Sequence, residues 1–255
     1  MKLIYEPKGK AREYSPLALN IYSGGCDHFC DYCYCRFVQR GNWSDTAKPR
    51  NLSGLERDVA EASRQILLSF ISDPYCKSET KHRATRGALQ ILKAGRCSVA
   101  ILTKGGSRCL EDLNLFQDWP DDRIKIGATL TFSSDSDSMK HEPGAALPSE
   151  RLSALEALHE AGIKTWASLE PVLDPVQSLE MIRRAIPFVD AFKVGKLNHA
   201  KTETDWKSFA ESAVKLLRDA GKCFYVKDDL RTFVPKGFLT AAESDCETVF
   251  LPDRD

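Results

Sequence analysis

The sequence predicts an α/β protein whose parallel strands close into a full or partial β/α barrel. Three observations predict it. Seven short apolar runs recur along the chain, as buried strands do. Segments with helical periodicity and end signals lie between them, and repeated strand–helix alternation argues for a parallel sheet. The chain has 255 residues with no dividing linker, an ordinary length for one barrel, so a single domain over 1–255 is expected.

The first strand is expected at Leu17–Ser23, after which Gly24-Gly25 permits a sharp turn. Ser53-Gly-Leu-Glu56 reads as a capping box opening a helix toward Arg64. Strand Ile66–Phe70 follows, then a helix over Thr85–Ala94 closed by Gly95. Val99–Thr103 and Ile124–Thr131 are the next strands. Ser149 reads as the N-cap of a helix in which Leu152, Leu155 and Leu158 share a face and Gly162 supplies the stop. Thr165–Leu169, Ala191–Val194 and Cys223–Val226 complete the strands, the last after a helix marked by Trp206, Phe209, Leu216 and Leu217 and ending near Gly221. Asp228-Asp229 reads as the cap of a terminal helix. Two polar stretches, Arg40–Leu52 and Ser133–Leu147, read as long loops, which in compact domains are often functional.

Composition narrows the partners. Hydrophobic residues make up 42% of the chain, and 36 basic residues balance 36 acidic ones. A net charge of zero gives no global pull toward nucleic acid or membrane, so binding of a polyanion requires a local patch. The N-terminal stretch lacks the apolar run of a signal peptide, and no segment approaches a membrane span. No membrane partner and a cytoplasmic location are expected, where disulfides rarely persist. The nine cysteines therefore read as metal-binding, catalytic or inert thiols.

Four of these cysteines fall between Cys26 and Cys35, in the spacing Cys26-x3-Cys30-x2-Cys33 followed by Cys35. They follow the first strand candidate, at the end of the barrel where active sites are built. Three thiolates on a tight loop suit three irons of a 4Fe–4S cluster and leave the fourth iron without a protein ligand. Cys35 is the one candidate for a fourth ligand, but the C-x-C step after Cys33 gives little slack for bridging to another corner of the same cube. Zinc is the alternative, but it commonly requires two separated ligand pairs, and the chain has no second C-x2-C.

The string Gly25-Cys26-x-His28-x-Cys30-x-Tyr32-Cys33-Tyr34 resembles the signature of the radical S-adenosylmethionine (SAM) superfamily, and in particular its spore photoproduct lyase-like branch. The likeness extends to Ser72-Asp73-Pro74-Tyr75, Thr103-Lys104-Gly105-Gly106 and Ser168-Leu169-Glu170-Pro171. It implies a partial TIM barrel of about six β/α units, a cluster on Cys26, Cys30 and Cys33, and SAM on the open iron. It also implies reductive cleavage of SAM to a 5′-deoxyadenosyl radical that abstracts hydrogen from a substrate, with the electron supplied by a reductase or a flavodoxin- or ferredoxin-type donor.

Buried barrel strands are expected to be nearly all apolar, yet polar residues gather toward their C-terminal ends. They include Ser69, Ser72 and Asp73, Thr103 and Lys104, Thr129 and Thr131, Ser168 and Glu170, Lys193, and Lys227. Such groups need partners or a polar ligand. The resemblance makes Lys104 the candidate for the SAM carboxylate, and Ser72 and Thr129 candidates for its amino acid or ribose. Asp73, Ser168, Glu170 and Lys193 join the cofactor-binding set, while Tyr32 and Tyr34 wall the cluster or SAM. Glu170 and Lys193 also fit a structural salt bridge.

The family pattern breaks at Phe70, where spore photoproduct lyase has a hydrogen-donating cysteine. Cys76 and Cys109 are the replacement candidates. Arg36, Arg40, Lys48 and Arg50 surround Trp43, opposed only by Asp45. A basic, aromatic stretch of this kind suits a nucleotide or nucleic acid. A peptide or small metabolite substrate, or a non-catalytic Fe–S electron carrier or redox sensor, are the competing readings.

Overall fold

Each predicted apolar run forms a strand, and the strands lie side by side in chain order. The computed structural model describes residues 2–38, 43–44, 46–198 and 202–252, with the side chains of 37 and 38 left aside. Strands β1 (Ile4–Tyr5), β2 (Leu17–Leu19), β3 (Tyr22–Ser23), β4 (Lys48–Pro49), β5 (Ile66–Leu68), β6 (Val99–Thr103), β7 (Ile124–Thr129), β8 (Lys164–Leu169), β9 (Ala191–Val194) and β10 (Cys223–Val226) follow in sequence. Eight of them make one sheet in the order β1-β2-β5-β6-β7-β8-β9-β10. Every pairing is parallel except the antiparallel edge β1–β2. β3 and β4 form a separate antiparallel pair beside it. The architecture is a partial TIM barrel with β1 and β10 as its edges. Among the described residues no helix is long and apolar enough to cross a membrane.

Alternation along each strand sorts two environments. Val99 and Ile101, Ile126, Ala167 and Leu169, Phe192 and Val194, and Phe224 and Val226 belong to two large apolar clusters shared with the helices. Leu67, Ala100 and Trp166 form a third cluster, packed with Tyr14, Phe70 and Leu102 inside the sheet's curve. Trp166 fills the middle of the barrel and donates its indole N–H to the Ile101 carbonyl at 2.9 Å. Its neighbour across the ladder is Gly127, where any Cβ would collide with the indole ring.

Below this indole the C-terminal segment closes the barrel. Lys125 donates its ammonium to the Val249 carbonyl, and Lys193 donates to the Glu13 carbonyl at 2.5 Å while facing the Phe250 ring. Leu251 N–H is accepted by Gln65 at 2.8 Å. Burial holds Lys125 down to about 7 and pushes Lys193 well below the ordinary lysine range, with each lysine's charge opposing others nearby.

Several boundaries depart from expectation. The first strand splits because the Asn20 side chain turns to accept Phe70 N–H at 2.8 Å and Ile71 N–H at 3.2 Å. The same contacts end β5 at Leu68. The capping box does not form: Gly54, at φ 90°, starts the helix Leu55–Glu61 without a side-chain cap, and that helix stops short of Arg64. Ser149 lies inside the helix Pro148–Glu160, where its hydroxyl binds Asp135 at 2.9 Å. The expected loop Ser133–Leu147 contains the helix Asp135–His141, capped by Ser134. The helix Pro175–Ala185, begun by Asp174 and Pro175, was carried by a cap signal that the apolar runs overshadow. Asp228 and Asp229 occupy the first turn of the short helix Asp228–Arg231 rather than capping it, since Lys227 stands at the cap.

Lys125 generates a pH prediction. Its folded value of about 7 lies below the ordinary 10.5, so between those values the unfolded chain binds a proton that the folded one does not. Stability therefore rises with pH across that window and is flat in this respect below it. Between pH 7 and about 9.5 the wild type should gain about 2–3 kcal/mol more than K125M, measured as urea unfolding free energies. Parallel slopes for the two proteins would refute the assignment.

Candidate active site

The cysteine loop leaves β3 through two glycines that the geometry requires. Gly24 has φ +77°, and a Cβ on Gly25 would collide with the Ser44 carbonyl. Ser44 N–H is accepted by the Gly24 carbonyl at 2.5 Å and Arg50 N–H by the Ile21 carbonyl at 2.8 Å, so the segment after the cysteines folds back against the loop. Cys33 N–H binds the Cys30 carbonyl at 3.2 Å, tightening the C-x2-C step.

The four thiols separate. Cys26 and Cys33 are half-buried, while Cys30 and Cys35 are buried. Cys35 donates to the Phe70 carbonyl at 3.1 Å. Cys35 lies close enough to Cys33 to draw the Cys33 thiol down to about 6. Burial and Asp73 push Cys26 up to about 12. Burial also raises Cys30, with Lys104 opposing it.

Two braces hold this loop. On one side Asp27 accepts Lys77 N–H at 2.9 Å and Ser78 N–H at 3.1 Å. His28 is buried between Asp73, 3.5 Å from Nδ1, and Arg108, 3.0 Å from Nε2. Arginine can only donate, so Nε2 accepts and the ring is neutral; burial, against the pull of Asp73, lowers it to about 4. On the other side the segment 141–146 packs on the loop. Asp31 N–H binds the His141 carbonyl and Gly144 N–H the His28 carbonyl, each at 3.0 Å. A Cβ on Gly144 would collide with the Asp27 carbonyl.

Lys104 leaves the end of β6 and points at this loop. Its backbone N–H is held by Asp73 at 2.7 Å, and the same carboxylate accepts Thr103 Oγ1 at 2.5 Å and Tyr75 N–H at 2.8 Å. The ammonium lies 3.7 Å from Cys30 Sγ, 3.1 Å from Glu142, and donates to Tyr32 Oη. Tyr32 in turn donates to Glu142. Arg151 pairs with the other Glu142 oxygen and donates to the Ala146 and Thr129 carbonyls at 2.9 and 3.0 Å. Burial opposes both charges of the Lys104–Glu142 pair, but the partners outweigh it. They hold Lys104 well above the ordinary lysine range, and Lys104 and Arg151 hold Glu142 far below the carboxylate range.

The opposite half of the mouth carries a second network. Tyr14 donates to Glu170 at 2.6 Å and meets Ser168 Oγ at 2.9 Å. Glu170 pairs with Lys227 at 2.7 Å and accepts Asn198 at 2.8 Å. Lys227 also reaches Glu13 at 3.1 Å, which accepts Tyr225 at 2.7 Å. The salt bridge expected between Glu170 and Lys193 is thus replaced by Glu170–Lys227. Lys193 instead turns away toward Glu13 O and Phe250 at the closed end.

The expected site residues therefore fall into groups. Cys26, Cys30, Cys33, Tyr32, Asp73 and Lys104 come together, with Thr129 joined through its carbonyl to Arg151. Tyr34 is exposed and donates to the Phe70 carbonyl at 2.9 Å, while Ser72 has a buried hydroxyl without a partner. Ser168 and Glu170 belong to the second network. Cys76 and Cys109 are packed in the apolar core, where burial leads the effects that raise both thiols. Both thiols also lie close enough to Asp73 for its charge to add to that rise, and Cys76 close enough to Cys26. Arg36 and Lys48 are exposed and Arg50 is half-buried; Arg40 and Asp45 lie outside the described residues. Glu142, Arg151, Tyr14 and Glu13 were missed. Arg151 carried a signal, since it falls on the apolar face that runs through Leu155 and Leu158.

The donor set fits an Fe–S cluster: soft thiolates on one braced loop, with a buried ammonium against one of them. The unpartnered Ser72 hydroxyl is a polar group left for a ligand. Among the described residues no three His, Cys, Asp or Glu side chains close on one point, as the ligands of a single ion do.

Comparison with known proteins agrees with this geometry. Residues 20–189 match the model of the radical SAM superfamily. An uncharacterized protein of Methanocaldococcus jannaschii is 28% identical over 193 residues, spanning 73% of this chain and 72% of its own length. Among solved structures, a variant of spore photoproduct lyase superposes with a TM-score of 0.67 at 12% identity, covering 88% of this chain and 79% of that one. The same lyase complexed with a dinucleoside spore photoproduct gives 0.67 at 13% identity, covering 87% and 78%. SuiB of Streptococcus suis bound to S-adenosylmethionine gives 0.65 at 16% identity, covering 88% and 53%. These structural likenesses show the shared fold.

The brace at Gly144 is testable against a second glycine. G144A should lower unfolding stability by about 1–3 kcal/mol and speed amide exchange across 26–33. G87A, in a helix where a Cβ meets nothing within 4 Å, should be neutral or gain about 0.5–1 kcal/mol. Equal effects of the two substitutions would remove the bracing role.

Proposed function

Because the chain belongs to the radical SAM superfamily, we propose that Cys26, Cys30 and Cys33 hold a 4Fe–4S cluster and that the barrel mouth uses SAM in a hydrogen-abstraction reaction of the lyase-like kind. When bound, the cluster and SAM supply one-electron cleavage of the sulfonium bond and a 5′-deoxyadenosyl radical that takes a hydrogen atom from the substrate. The observation that carries the reading is the division of the thiols. Cys35 is buried and donates its one S–H to the Phe70 carbonyl, so three thiols remain as ligands and one iron would be left without a protein ligand.

The chain's own residues have defined tasks. Asp73 fixes the backbone at Lys104 and orients His28, so the loop and the end of β6 move together. Lys104 presents a cation beside Cys30 and is the residue that would hold the SAM carboxylate. Ser72 offers an unpartnered hydroxyl, and Thr129, Ser168 and Glu170 line the polar rim. Trp166, Tyr14 and Phe70 pack the barrel beneath and exclude water from that side. The electron comes from a reductase or a flavodoxin- or ferredoxin-type donor.

For the substrate we favour a nucleotide or nucleic acid. Arg36, Lys48 and Arg50, with Trp43, lie on segments tied to the cysteine loop, where they can meet a phosphodiester and stack a base.

After anaerobic reconstitution and reduction, the wild type should release 5′-deoxyadenosine from SAM. C26A, C30A and C33A should lose iron, sulfide and that activity, while C35A retains the cluster. A cluster that needs Cys35 would point instead to an electron carrier. Deuterium from a labelled dinucleotide should appear in 5′-deoxyadenosine; transfer from a labelled peptide alone would overturn the substrate reading.

A further inference from the structure

Beside Cys30 the cysteine loop meets one cluster of charges, and a second cluster, Asp27, Asp73 and Arg108, surrounds His28. In the first, Lys104 and Arg151 contribute two cations and Glu142 one anion, all with side chains largely or wholly removed from water. Glu142 is saturated: it accepts from Lys104, Tyr32, Arg151 and, at 3.1 Å, Ser138. Arg151 is fixed by two further carbonyls. Lys104 is the cation of this cluster that faces the cysteines, and its remaining neighbour is Cys30 Sγ at 3.7 Å. A thiolate at Cys30 balances it. Any further negative charge gained by a group bound to that sulfur is stabilised by the same ammonium, because hydrogen bonds to sulfur, net charge and burial set the potential of thiolate-bound iron.

We infer that the Lys104–Glu142–Arg151 triad sets the reduction potential of the cluster, with Lys104 as the residue that makes it reducible. The inference rests on the proposed cluster site at Cys26, Cys30 and Cys33. In the step concerned, one electron passes from the reductase or flavodoxin- or ferredoxin-type donor to the cluster. The donor is oxidised, the cluster is reduced, and no bond breaks. Lys104 favours the reduced side by charge. Glu142 moderates that charge and aims it, since its carboxylate holds the ammonium at one end and is held by Arg151 at the other. Lys104 is thus a positioning and tuning residue for electron entry, a role separate from any contact with SAM.

The test is a mediated redox titration of the reconstituted full chain, followed by electron paramagnetic resonance of the reduced cluster, with SAM omitted so that no contact with its carboxylate contributes. At a fixed poise near the wild-type midpoint, K104M should lower the reduced-to-oxidised ratio about tenfold, about 59 mV for a one-electron couple. K104R, which keeps the charge, should stay near wild type, and E142Q should move the midpoint upward. Midpoints equal to wild type in both K104M and E142Q would overturn the inference. If K104M takes up no cluster, E142Q decides: a rise supports the inference, and no rise or a fall overturns it. Separate assay of the wild type for 5′-deoxyadenosine keeps the two claims apart. A wild type that binds the cluster but does not cleave SAM defeats the proposed function alone, and unchanged midpoints with SAM cleavage intact defeat the tuning role alone.

Discussion

The Asp73 carboxylate ties an irregular loop to a regular barrel. One oxygen accepts Tyr75 N–H and Thr103 Oγ1, and the other accepts Lys104 N–H and faces His28. These contacts join the segment after β5, the end of β6 and the middle of the cysteine loop at one point. A loop of this length has few backbone hydrogen bonds of its own, so its shape must come from side chains anchored elsewhere. Without Asp73 the buried His28 ring loses an acceptor, and the direction of Lys104 is no longer fixed by the strand that carries it.

Around that anchor the mouth divides by charge. The half nearest the cysteines is organised on Lys104, Glu142 and Arg151, and the other half on Glu170, Lys227 and Glu13. Both networks place ions in nearly dry surroundings, where each is tolerable only because its partners and hydrogen bonds are complete. Such sites are rigid for the same reason, since moving one member strands another. Rigidity of this kind suits a site that must control a reactive species and hold it against a single position on its target.

Much of the fold was legible because parallel strands buried on both faces read as unbroken apolar runs. Val99–Thr103, Ala191–Val194 and Cys223–Val226 are strands with the expected ends. The cysteine spacing likewise pointed to the proposed cluster, since its candidate ligands are local. The supporting residues were harder to read. Glu142 sits in a polar Glu-Pro-Gly stretch that resembles any solvated loop, and its burial depends in part on Lys104 and Tyr32, both far off in sequence. Lys193 and Lys227 both point inward from adjacent strands. Which one meets Glu170 depends on where the N-terminal turn delivers Glu13 and Tyr14, and periodicity carries no record of that. Arg151 was the readable exception, a charge on an apolar helix face that announced a buried partner.

The indole of Trp166, seated against Gly127, gives the barrel two storeys. Above it lie the thiols and the ion networks; below it, Lys125 and Lys193 are latched to the C-terminal segment. The storeys also meet at the N-terminal turn, where Glu13 gives its carboxylate to Lys227 above and its carbonyl to Lys193 below. A shift of the C-terminal latch is therefore transmitted to the mouth through one residue, and the two levels of the barrel are mechanically coupled at Glu13.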